Sequence, residues 1–264
     1  MAKSAVSSGR TPRQTSCVTH APRQGPLALV GGEEFLAGNE PQDEILIRAA
    51  RTLGSGRQAF VIASAAARQD PDRAVATATA WFADLGLSIA ELPVRTRRAA
   101  LSAATAATAA RGSLFYLCGG DPGLVVKTLI DTPVWTAITA AWRGGAALGG
   151  SSAGAMAFGA WTLIRARMPG DPRREPRPAL DLVPSVAVLP HYATFGHRWR
   201  DSALAGLAGR RATLLGIDER TAVVRHDRVW QVFGPGSATV IDANGNARAF
   251  ASGERISGLP LPRR

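Results

Sequence analysis

Between Leu27 and Gly149 short apolar runs alternate with helical stretches, and few folds accommodate that alternation. Leu27-Ala-Leu-Val30 runs into Gly31-Gly32 and reads as a buried strand ending in a turn. Phe60–Ala63, Ile89–Val94, Leu114–Leu117 and Ala146–Leu148 repeat the strand pattern. Helical segments fall between them at Glu40–Ala50, Pro71–Leu85, Arg98–Ala110 and Leu124–Trp142, the last interrupted near Pro133. Strands separated by helices predict a mostly parallel sheet covered on both faces. The tail changes character. Ala222–Val224, Val229–Val232, Ala238–Ile241 and Arg248–Ala251 are short strands with only turns between them, which predicts antiparallel hairpins appended to the main sheet.

Composition narrows the function classes. At 264 residues, and roughly 150 per domain, one or two domains are expected. Residues 1–25 are rich in Ser, Thr, Pro and Arg, with little to bury, and read as a disordered extension ahead of one domain, 26–264. Arg165 to Pro178 reads as an Arg/Pro-rich loop within that domain. No run of ~18 uncharged apolar residues occurs, so no spanning helix is expected. Lys3, Arg10 and Arg13 are followed by no apolar stretch, so the expectation is a cytoplasmic protein without a secretory signal. Two cysteines, Cys17 and Cys118, make neither a disulfide framework nor a CxxC metal spacing. The net charge of +11 suggests nucleic acid, but no basic stripe interleaves with aromatics, and net charge alone argues only for non-specific association. No specific nucleic-acid or membrane partner is expected.

The chemistry concentrates in Ala147-Leu-Gly-Gly-Ser-Ser-Ala-Gly-Ala-Met156. A strand reaches small residues, turns sharply and enters an apolar segment. The Gly150-x-Ser152-x-Gly154 spacing is that of a nucleophile elbow, which would expose the Ser152 hydroxyl above the sheet. Ala153, the next residue, would donate its N–H to an oxyanion. The plainer alternative is a Gly/Ser turn that holds a phosphate on a helix N-terminus.

The string Gly-Ser-Ser-Ala-Gly-Ala resembles the nucleophile motif of the dipeptidase E and cyanophycinase family of serine peptidases, within the class I glutamine-amidotransferase-like superfamily. The resemblance continues through Phe115-Tyr-Leu-Cys-Gly-Gly-Asp121, Leu182–Tyr192 and Leu215–Ala222, and covers about residues 26–257. It implies an α/β, three-layer, flavodoxin-like fold with helices on both faces of a mostly parallel sheet. It also implies a cofactor-free, metal-free serine hydrolase acting on a small peptide or amide, with a homodimer left open. A serine hydroxyl needs an adjacent base. Of four histidines, His191 follows the apolar run Val186–Leu189 and so falls at a strand's carboxyl end, where α/β sites form. For the orienting acid the resemblance points to the loop before the His strand. Asp171 is the choice there, Glu175 the alternative and Asp218 the next candidate, while Asp218 and Glu219 together read as residues that order a turn. It places the second oxyanion donor at Gly120, and leaves Arg200 and Asp121 as substrate-binding candidates.

Two departures bear on substrate. Cyanophycinases carry Gln where this chain has Pro122, and Asp-x-His where it has Leu189-Pro190-His191, which argues against an aspartyl-arginine polymer. Cys118 precedes the glycine pair rather than occupying the elbow, and reads as a buried strand residue. A catalytically degenerate member, serving as a binding or scaffold protein, is the competing reading.

Overall fold

The computed structural model describes residues 24–165 and 173–263. Five strands, β1 (Leu27–Val30), β2 (Gln58–Ile62), β3 (Ile89–Glu91), β4 (Gly112–Leu117) and β5 (Ala147–Ser151), run parallel in the spatial order β1-β5-β4-β2-β3. All four residues of β1 are buried, with Leu27 and Leu29 in one core and Ala28 and Val30 in another. The strand is covered on both faces, which is why it reads as an unbroken apolar run rather than an alternating one.

The helices on these faces are α1 (Glu40–Thr52), α2 (Pro71–Asp84), α3 (Arg97–Ala100), α4 (Ala103–Ala109), α5 (Pro122–Leu129) and α6 (Pro133–Arg143). Their starts follow from local chemistry. Asp70, Asp121 and Thr132 each accept a backbone N–H of the first turn, and a proline follows each. The single helix expected over Arg98–Ala110 is two, because Ser102 adopts extended backbone and caps α4 through the Thr105 N–H.

Asp43 of α1 is fully buried. Its Oδ2 accepts from Trp81 Nε1–H at 2.8 Å, while Oδ1 has no partner. Burial pushes its pKa up to about 7 against the lowering effect of that hydrogen bond.

The second half builds a separate sheet. Its elements are α7 (Ala153–Phe158), β6 (Gly159–Arg165), β7 (Arg174–Pro178), β8 (Val183–Leu189), α8 (Arg200–Gly206) and β9 (Thr213–Ile217). The tail adds β10 (Ala222–His226), β11 (Val229–Phe233), β12 (Ser237–Ile241), β13 (Ala247–Ala251) and β14 (Arg255–Ile256). The sequence reading appended these last strands to one sheet, but they divide. β10, β11 and β14 extend the first sheet beyond β1, whereas β12 and β13 extend a six-stranded sheet ordered β13-β12-β9-β8-β6-β7. Residues 174–178, expected as loop, are strand. β7 pairs antiparallel with β6 at the sheet's edge, where Pro176 and Pro178 are tolerated.

The result is an α/β fold with a mostly parallel core sheet and antiparallel C-terminal strands. Among the described residues no single helix is long and apolar enough to cross a membrane. Residues 1–23, most of the expected N-terminal extension, lie outside the described residues.

Candidate active site

Ser152 sits between β5 and α7 with φ 48° and ψ −109°, a backbone conformation that a side chain rarely adopts. Two glycines permit the turn. A Cβ on Gly154 would lie 2.3 Å from the Leu117 carbonyl oxygen, and one on Gly150 would lie 2.7 Å from the Phe158 ring. Strand and helix therefore approach more closely than any side chain at these positions would allow. Glu34 fixes the ends of both neighbouring strands. Its Oε1 accepts the Gly119 N–H and its Oε2 accepts the Ser151 hydroxyl, each at 2.7 Å.

His191 follows β8, and its Nε2 lies 3.2 Å from Ser152 Oγ. Its backbone N–H donates to the Gly31 carbonyl at 2.7 Å, which ties the end of β8 to the end of β1. Phe195 stacks on the imidazole, with centroids 4.8 Å apart. Gly32, at φ 127°, lies so near the ring that an added Cβ would fall 2.2 Å from Cε1.

The carboxylate facing the other ring nitrogen is Glu219, whose Oε1 is 3.3 Å from His191 Nδ1. Both side chains are mostly buried. Burial works against the ionised form of Glu219. Hydrogen bonds from Thr194 and from its own backbone, with the neighbouring imidazole, outweigh that and hold its carboxyl below the usual range.

Ser152 and His191 open onto a cavity of about 780 Å³ whose walls also include Gly120, Asp121, Arg174 and Trp199. Gly120 has φ 137°, and a Cβ there would strike the Ala65 carbonyl 2.4 Å away. With the Gly119 N–H taken by Glu34, Gly120 is the member of the pair on the cavity wall. Ala153 opens α7, so its N–H has no partner within the helix.

The structure thus brings Ser152, His191, Gly120, Ala153 and Asp121 to one place. Asp121 is occupied as the α5 cap, accepting the Leu124 N–H at 3.0 Å. Asp171 lies outside the described residues. Glu175 pairs with Arg177 at 2.7 Å, and Asp218 accepts both the backbone N–H and the hydroxyl of Ser237. Arg200 does not line the cavity; its Nη2 donates to the Gly245 carbonyl at 2.5 Å. Burial pushes the Cys118 thiol far above its ordinary range, which keeps it protonated and unreactive. Glu219 and Glu34 were missed as site residues. A signal for Glu219 was present, since it is an acid just past the apolar run that becomes β9; Glu34 had none beyond its place after Gly31-Gly32.

Residues 27–232 match the model of peptidase family S51. A cyanophycinase from Trichormus variabilis is 29% identical over 240 residues, covering 88% of this chain and 76% of its own. One from Thermosynechococcus vestitus is 27% identical over 232 residues, covering 84% and 70%. Among solved structures, a peptidase from an acI-B1 Actinobacterium superposes with a TM-score of 0.78 at 28% identity, covering 90% of this chain and 98% of that one.

Proposed function

The chain belongs to peptidase family S51, and from that membership and the succession Ser152–His191–Glu219 we propose that it is a serine hydrolase cleaving small peptides or amide bonds through an acyl-enzyme on Ser152. The observation that carries this reading is the pairing of a strained serine with an imidazole 3.2 Å away that is backed by a carboxylate.

In this mechanism His191 Nε2 removes the Ser152 proton as Oγ attacks the substrate carbonyl. Glu219 accepts the Nδ1–H, which fixes the tautomer and stabilises the imidazolium. A depressed carboxyl pKa suits that role, because the group is ionised when needed. The N–H groups of Gly120 and Ala153 receive the oxyanion. His191 then returns the proton to the leaving amine, and water hydrolyses the ester by the reverse sequence. The choice of Glu219 rather than Asp171 as the acid rests on its 3.3 Å approach to Nδ1.

The test is labelling by a fluorophosphonate together with turnover of a panel of short peptides. The expected result is a single adduct on Ser152, lost with turnover in Ser152→Ala. An adduct elsewhere, or turnover retained by Ser152→Ala, overturns the assignment.

A further inference from the structure

Four backbone N–H groups follow β4 in succession, and three of them are held. Cys118 N–H donates to the Ile62 carbonyl at 3.1 Å and Asp121 N–H to the Ala65 carbonyl at 2.9 Å. Gly119 N–H donates to Glu34 Oε1 at 2.7 Å. Gly120 lines the cavity, and its N–H has no hydrogen-bond partner among the described residues. An oxyanion donor must be fixed before the reaction, yet two glycines in a row are the least restrained backbone a chain can offer. The flanking holds run from main chain to main chain. The hold on Gly119 alone depends on a side chain.

That side chain is aimed by the loop that carries it. Glu33 and Phe35 have φ of 53° and 62°, so strained residues stand on both sides of Glu34. Phe35 is buried, with its ring centroid 5.1 Å from that of Tyr116 and 6.0 Å from that of Phe82. Glu33 pairs with Arg220 at 2.7 Å. Glu34 Oε2 accepts the hydroxyl of buried Ser151, the residue before the elbow serine, at 2.7 Å. One carboxylate thus spans the Gly119–Gly120 turn and the nucleophile strand without lining the cavity itself. Gly119 leaves it room, since a Cβ there would fall 2.9 Å from Oε1.

We propose that Glu34 is a positioning residue for the oxyanion hole: its two oxygens set the Gly120 N–H at a fixed place relative to Ser152 and Ala153. The proposal rests on the hydrolase reading for its effect on rate, but not for its effect on the turn. Glu34 acts through its span rather than its charge. Both partners are neutral donors, and a negative charge beside a developing oxyanion opposes it. A glutamine can therefore substitute, with its carbonyl accepting from Gly119 and its amide donating to the Ser151 oxygen.

The test compares Glu34→Gln, Glu34→Asp and Glu34→Ala in the full chain, by kinetics on short peptides and by hydrogen exchange at the Gly119 amide. Glu34→Gln should lose less than about tenfold in kcat and keep Gly119 protected. Aspartate keeps the charge but is one methylene too short to reach both partners, and alanine reaches neither. Each should lose about 10²- to 10³-fold in kcat, the cost of one oxyanion donor, with KM little changed. Gly119 should exchange about tenfold faster in both, the worth of one charge-assisted hydrogen bond. Aspartate or alanine variants that fold and keep kcat, or a loss confined to KM, overturn the proposal. So does a glutamine variant as impaired as the aspartate one, because charge would then be the requirement. If the alanine variant does not fold, glutamine against aspartate decides. If the parent chain turns over no peptide and takes no fluorophosphonate label, the hydrolase reading fails and exchange alone decides. The hold on the turn then stands if Gly119 exchanges faster in Glu34→Asp than in Glu34→Gln, and falls if the two are equal.

Discussion

Gly32 lies against the His191 imidazole so closely that a methyl group there would sit 2.2 Å from Cε1 and 2.4 Å from Nε2. No rearrangement of a flexible tip relieves that contact, because the ring is also stacked by Phe195 and its backbone is tied to Gly31. Gly32→Ala should therefore move the proposed base off Ser152. A displacement of about 1 Å costs on the order of 10²-fold in rate, with a stability loss of at most about 3 kcal/mol from the strained φ. Peptidase kinetics and a thermal melt on the same sample check this, and unchanged kcat would show that the ring does not need its present position.

Glu219→Gln should lower kcat by up to about 10⁴-fold, as when a triad carboxylate becomes an amide that favours the wrong imidazole tautomer. Asp171→Asn, the substitution that the sequence alone recommends, should then change little. A silent Glu219→Gln beside a dead Asp171→Asn would return the role to Asp171.

The backbone at Ser152 makes a prediction about stability rather than rate. Its φ of 48° and ψ of −109° strain any residue with a Cβ. Ser152→Ala keeps the strain and Ser152→Gly releases it. Both should be inactive, with the glycine variant more stable by about 1 kcal/mol in denaturant melts.

Asp43 predicts a pH dependence. Its folded pKa of about 7 stands above the unfolded value near 4, so the folded state holds the proton more tightly. The contribution is fully present below about pH 4 and is lost as pH rises through 7. The slope approaches about 1.4 kcal/mol per pH unit at its steepest. Asp43→Asn should flatten this part of the stability curve and gain on the parent protein at pH 8. Parallel curves for the two proteins would show that Asp43 does not titrate there.

Strands β1, β2, β4 and β5 were legible because burial on both faces writes them as plain apolar runs. The proposed nucleophile and base, Ser152 and His191, stood out in the sequence because each closes such a run. β7 was not legible, since Arg174-Glu-Pro-Arg-Pro178 lacks strand propensity and pairs only through its place at an edge. The proposed acid was hidden for a different reason. Asp218 and Glu219 are adjacent, and only one of them orders the turn, through Ser237. Side chains of neighbouring residues diverge, so a two-residue string gives no indication of which one faces the imidazole.

The two sheets share the proposed machinery between them. Ser152 hangs from β5 of the first sheet, His191 from β8 of the second, and Glu219 lies on the crossing from β9 back to β10. The 3.2 Å between Oγ and Nε2 is therefore a gauge of how the halves are seated. Anything that loosens their seam, at the His191–Gly31 or Arg220–Gly32 backbone bonds, would open that gap while each sheet kept its own ladder. On gentle heating such a molecule would fall silent as a hydrolase at a temperature where its circular dichroism still reads as native.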